Sequence, residues 1–317
     1  MSNEVGGLRR HSENMVYASR IKDIDTTWAT QLLQYNEQAR AEVLHELSER
    51  LVESTQLLYS MLADHCYDLG LLHYALGSSY EQVGQYLTEA ARAYFRVFQL
   101  RGTQSVFTAT LVELPPVAPK YSATNSSELA TETLRGEVLR SPLNLPGEVD
   151  YSLTNSRIGL RAMFLALISS ERDLAHSIAK MVSDPVNATY IGPESEVCTP
   201  NEQSVAYAMK WYLLNNSVEA SVQLRGLEDP PEYMAHQASV IQALIDRNWS
   251  RFLSGLSQLL SEHRRRAEID SHQVASFLCL PGLALSASAL LAGLLGQESL
   301  PAREIYLPLP LLRKPTE

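Results

Sequence analysis

Asp64, His65, Cys66, Asp68 and His73 lie within about three helical turns of one another and form the best constellation of nucleophilic, acid–base and metal-binding side chains in the chain. A thiol beside an imidazole can give a thiolate nucleophile, and histidine, cysteine and carboxylate are zinc ligands. Either chemistry requires the side chains to converge. On a helix, His65 and Cys66 point about 100° apart, while Cys66 and His73 share an apolar face. Packed or hydrogen-bonded residues are therefore favoured over a catalytic or metal centre. His45, His176, His236, His263 and His272 have no ligand partners at useful spacing. No G-x-S-x-G elbow, P-loop, dinucleotide glycine fingerprint or H-E-x-x-H helix occurs. The expectation is a protein that is not an enzyme, with no cofactor and no metal.

The elements that must position these residues are helices. From Asp25 the pattern is helical: Leu44, Leu47, Leu51, Leu58, Met61 and Leu62 recur on one face, with Glu42, Glu46, Glu49 and Glu53 on or near the other, predicting one long amphipathic helix. A second helix carries Cys66, Leu69, Leu72, His73 and Leu76 and ends at Gly77, suited to the left-handed conformation past a helix end. Ser78 with Glu81, or Ser79 with Gln82, caps a third helix that buries Val83, Leu87, Ala90, Tyr94 and Phe98. Residues 106–112 alternate and are β-branched, and residues 149–153 follow the turn-forming Pro146-Gly147, so a small β-hairpin insertion is expected near 105–153. Helices resume at Leu160. Ser170 with Asp173 is read as a cap, and Thr199-Pro200-Asn201-Glu202 is the strongest helix start in the chain. Arg264-Arg265-Arg266 stands at a helix C-terminal end, where cations offset the helix dipole. The fold class expected is mainly α: antiparallel helical hairpins or a bundle. Residues 1–22 form a loose tail before a single all-helical domain over 23–317, with a sub-boundary in 102–154.

The longest uncharged run, residues 274–296, is long enough to cross a bilayer. Pro281-Gly282 interrupts it, and the small residues that follow suit a buried helix, so no membrane span is expected. The net charge of −10 argues against a nucleic-acid partner, which would call for clustered Lys and Arg, and fits a basic protein partner. Three cysteines without a CxxC pair suggest neither a disulfide framework nor a zinc site and favour a cytoplasmic location, as does the lack of an apolar signal core in residues 1–20.

Leu280-Pro281-Gly282-Leu283-Ala284-Leu285, the Ala/Leu helix to Gly293, and Ile305-Tyr306-Leu307-Pro308 before Leu311-Leu312 together resemble the C-terminus of the immunity protein 49 family of bacterial polymorphic-toxin systems. Met163-Phe164-Leu165-Ala166-Leu167-Ile168 with Glu171-Arg172 resembles the middle of that family, so the resemblance touches roughly the last two-thirds of the chain. It implies a non-catalytic cytoplasmic protein that binds and neutralises a cognate protein toxin. The acid-rich loops of Glu194, Glu196, Glu228, Asp229 and Glu232 are the candidate toxin-binding residues, since they would steer a basic toxin. A second resemblance, of Leu76-Gly77, Tyr80, Gly84, Ala90 and Tyr94 to one tetratricopeptide unit, supports the alternative of a helical adaptor holding a peptide in the hairpin over residues 40–101. No second copy of that unit occurs.

Overall fold

Asp25 opens the first helix because its carboxylate accepts from the backbone N–H groups of Thr27 and Trp28, donors that a helix start otherwise leaves bare. The computed structural model describes residues 25–49, 55–100, 151–183, 198–269, 273–293, 295–301 and 304–312. Helix α1 (Thr26–Ser48) packs on α2 (Thr55–Ala75), which packs on α3 (Tyr80–Gln99). The apolar series from Leu44 to Leu62 is thus divided between two helices rather than carried by one, while Cys66 and His73 share a single helix with Leu58 and Leu62. Leucines of one periodic stripe serve equally well on two helices that face each other. Helix α2 lies between α1 and α3, and this explains its burial on nearly every side. Gly77 takes φ 79° at the turn, and Ser79 caps α3 by accepting from the N–H of Gln82.

Tyr151–Thr154 forms one helical turn over positions where the sequence predicts the end of a second strand; the rest of that hairpin lies outside the described residues, among which there is no strand. Three hairpins follow: α4 (Ser156–Ile168) with α5 (Arg172–Met181), α6 (Pro200–Leu213) with α7 (Ser217–Arg225), and α8 (Glu232–Ile245) with α9 (Trp249–Ile269). The first helix of each ends in the same way, with a left-handed residue and paired backbone bonds that satisfy its last carbonyls. These residues are Ser170 (φ 59°), Asn215 (φ 59°) and Arg247 (φ 52°). Ser170 therefore closes α4 and does not cap α5, whose preceding residue Glu171 makes no side-chain cap bond. At Thr199 and Glu202 both halves of the expected capping box form.

The last helix, α10 (Leu280–Leu291), packs on both α4 and α8, while α6 also packs on both, so α4, α6, α8 and α10 form a closed ring. Helices α5, α7 and α9 each pack against two neighbouring members of it. Pro281 sits in the first turn of α10, where a missing N–H leaves no bond unmade, and Gly282 through Ala289 are buried. The long apolar run thus supplies a core helix, and among the described residues no helix is long and apolar enough to cross a membrane. Residues 304–312 then strap the assembly. The Tyr74 hydroxyl donates to the Ile305 carbonyl, Cys279 N–H donates to the Tyr306 carbonyl at 3.0 Å, and Arg264 pairs with Glu304 at 2.6 Å. Leu307, Leu309, Leu311 and Leu312 are buried beneath, against α3 and α10.

Candidate functional site

The α7–α8 connection carries the acidic residues Glu228, Asp229 and Glu232, and all three are exposed. The connection is held in one shape. Asn201, at the start of α6, donates to the Glu228 carbonyl at 2.9 Å and accepts from the Glu228 N–H at 3.1 Å. Asp229 adopts φ 44°, a conformation that aspartate tolerates better than most residues, and Pro230-Pro231 then leads into α8. Glu232 stands in the first turn of α8, where a carboxylate complements the positive end of the helix, and its Oε1 lies 3.6 Å from Nε2 of His236. On α7, just before this loop, Val218 and Val222 are one turn apart and 75% and 43% exposed. Glu194 and Glu196 lie outside the described residues.

Glu232 also lines a cleft of about 530 Å³ formed where α4, α6 and α8 begin and α9 ends. Two bidentate pairs brace it: Arg157 donates twice to Glu202 at 2.8 Å, and Arg265 donates twice to Glu262 at 2.7 Å. Burial pushes the Glu202 carboxyl upward, but Arg157 and the Thr199 donors outweigh it and hold that carboxyl below its usual range. The Arg265 fork does the same for Glu262. The guanidinium of Arg266 lies 4.7 Å above the ring centre of Tyr233, whose hydroxyl burial drives well above the ordinary phenol range. Arg264, Arg265 and Arg266 thus have three different partners, more than the dipole-offsetting role read from their run.

No known protein family, curated protein or solved structure matches the chain.

The residues with the most reactive side chains do not converge. Nδ1 of His65 meets the Asn36 amide oxygen at 2.9 Å, while His73 stacks on Tyr86 with ring centres 5.0 Å apart and meets Ser78 Oγ at 2.9 Å. Cys66 is fully buried; desolvation, with the nearby Glu89, pushes its thiol up to about 12, which keeps it protonated and poorly nucleophilic at neutral pH. Asp64 instead joins a group that its sequence neighbours do not announce. Its Oδ1 accepts from the Tyr94 hydroxyl and from Arg161 Nη1 at 3.2 Å, and Arg161 lies over the Tyr67 ring at 5.1 Å. Asp68, one turn on, is pushed up to about 6 by burial and then by the charge of Asp64. Among the described residues no group of three or more His, Cys, Asp or Glu side chains could hold a metal ion. Arg157 carries no motif in the sequence; the usable signals for this cleft are the capping box that fixes Glu202 and the Arg264-Arg265-Arg266 run, which the sequence reads only as offsetting a helix dipole.

Proposed function

We propose that this protein binds a basic protein partner through the α7 face and the α7–α8 loop and holds it inactive, in the manner of the toxin-immunity proteins its C-terminal pattern resembles. The observation that carries the reading is an exposed Val218–Val222 pair on the helix that leads directly into a clamped, exposed acidic loop. Exposed aliphatic pairs supply contact area, and carboxylates carried on a backbone fixed beforehand attract a basic surface at a reduced ordering cost. The role is one of occlusion and requires no catalytic group.

The test is co-expression with the product of the neighbouring open reading frame, followed by co-purification and a growth assay of that product with and without this protein. Stable association with rescue of growth supports the reading. Glu228→Lys with Asp229→Lys is expected to slow association roughly tenfold at low salt, less at high salt, as for charge-steered encounter. Unchanged association by that double variant removes the loop from the interface. The adaptor alternative has one observation in its favour, a cavity of about 420 Å³ between α1 and α3 lined by Arg40, Tyr86 and Glu89. Binding of many unrelated peptides there, with no single toxic partner, would favour it.

A further inference from the structure

We infer that the cleft at the N-terminal ends of α4, α6 and α8 is a binding site for a carboxylate group carried on a small apolar body. Gln237 lines this cleft and is only 6% exposed, and its amide nitrogen is buried with no hydrogen-bond partner. A buried amide left unmatched is costly, and Gln237, as a lining residue, is placed to turn its amide donor towards a group that enters the cleft. The start of α8, which shapes the same wall, has no side-chain cap: Pro231 holds the cap position and cannot supply one. Its first N–H groups and the positive end of its dipole therefore favour an anion in the cleft. Arg266 supplies the charge. Unlike Arg157 and Arg265, it is paired with no carboxylate among the described residues and rests on the Tyr233 ring, which leaves its donors available.

The surroundings choose among anions. Of the charges that border the space, Arg157 offsets Glu202 and Arg265 offsets Glu262, which leaves Arg266 against Glu232, so a singly charged carboxylate is tolerated better than a doubly charged phosphate. Leu160, Val205, Pro231 and Met234 provide an apolar wall for what carries it, and the volume is that of a small-molecule site. This site does not depend on the partner proposed for the acidic loop. The carboxylate has two sources, a free organic acid or a peptide C-terminus.

Calorimetric titration of the full chain with 4-methylpentanoate and with N-acetyl-leucine separates them, with N-acetyl-leucine amide and inorganic phosphate as controls. At least one carboxylate probe is expected to bind saturably at millimolar concentration or below, and neither control. Binding by N-acetyl-leucine alone assigns the peptide terminus; binding by 4-methylpentanoate, alone or equally, assigns the free acid. Arg266→Gln, a change at an exposed position, is expected to weaken binding roughly tenfold or more. Gln237→Leu is expected to raise the Tm of the unliganded protein and to remove the Tm rise produced by the probe. Failure of both carboxylates to bind, equal binding of the amide, or unchanged affinity in Arg266→Gln overturns the assignment.

Discussion

One half-buried and one buried side chain give this protein opposing responses to acid. The Asp68 carboxyl ordinarily titrates at 3.8 and is pushed up to about 6 by burial and by Asp64, so folding takes up a proton between those values and stability falls as pH rises through them. His263 does the reverse. Burial, reinforced by Arg266 and only partly opposed by its bond to the Ser276 carbonyl, lowers it from 6.5 to about 4. Its contribution is whole above pH 6.5 and is lost as pH falls towards 4. The Asp68→Asn variant is expected to be more stable than the parent by about 2 kcal/mol at pH 7 and to gain nothing at pH 4. His263→Gln, which retains a donor, is expected to lose less stability than the parent between pH 6.5 and pH 4. Melting temperatures across that range check both, and parallel profiles for the two variants would refute them. Little of this was legible in the sequence. Asp64 and Asp68 sit one turn apart in plain view, but Arg161 arrives from 97 positions away and Tyr94 from 30, and no local period marks such a meeting.

At the scale of the helix, what could be read was what depends on near neighbours. Asp25, Gly77, Ser79 and the Thr199–Glu202 box act through residues within a few positions, and each does in the fold what its type and spacing indicate. Where one helix gives way to the next inside a continuous apolar stripe was not legible, because burial rewards both arrangements of Leu44 to Leu62 equally. Nor does a serine declare whether it will begin a helix or end one, and Ser170 ends α4. Two glycines show how much tertiary approach matters. A methyl group added to Gly159 on α4 would stand 2.5 Å from Val182 Cγ2 and 3.4 Å from Phe98, whereas one added to Gly84 on α3 meets nothing within 4 Å. Gly159→Ala is expected to destabilise by about 1–3 kcal/mol through overpacking, since valine is stiff and cannot swing aside. Gly84→Ala is expected to stabilise by about 0.5–1 kcal/mol through helix propensity alone. Urea midpoints of the pair decide the matter: shifts of the same sign would show that the two sites differ less than their surroundings indicate.

For the molecule as a whole, the mainly helical class and the burial of the apolar run at α10 follow from composition and period, but ring closure does not, since it joins α10 to α4 across more than a hundred residues. The strap is the last piece of that closure. A chain stopped after residue 303 loses four buried leucines together with the Tyr74–Ile305 and Arg264–Glu304 links. At about 1.5–3 kcal/mol for each leucine, that loss is comparable to the whole stability of an ordinary domain. Such a chain is expected to lose its cooperative thermal transition by circular dichroism, and a truncation that melts as the parent does would show the strap to be dispensable. The ring also sets an order of events during synthesis. Helix α4 leaves the ribosome long before α10 exists to cover it, and Ala162 to Ile168, all but hidden in the finished protein, must wait with one flank bare. Nascent chains therefore pass through a stage in which an apolar helix is open to chaperones, or to another copy emerging from the same message, and the speed at which the final third is translated governs how long that exposure lasts.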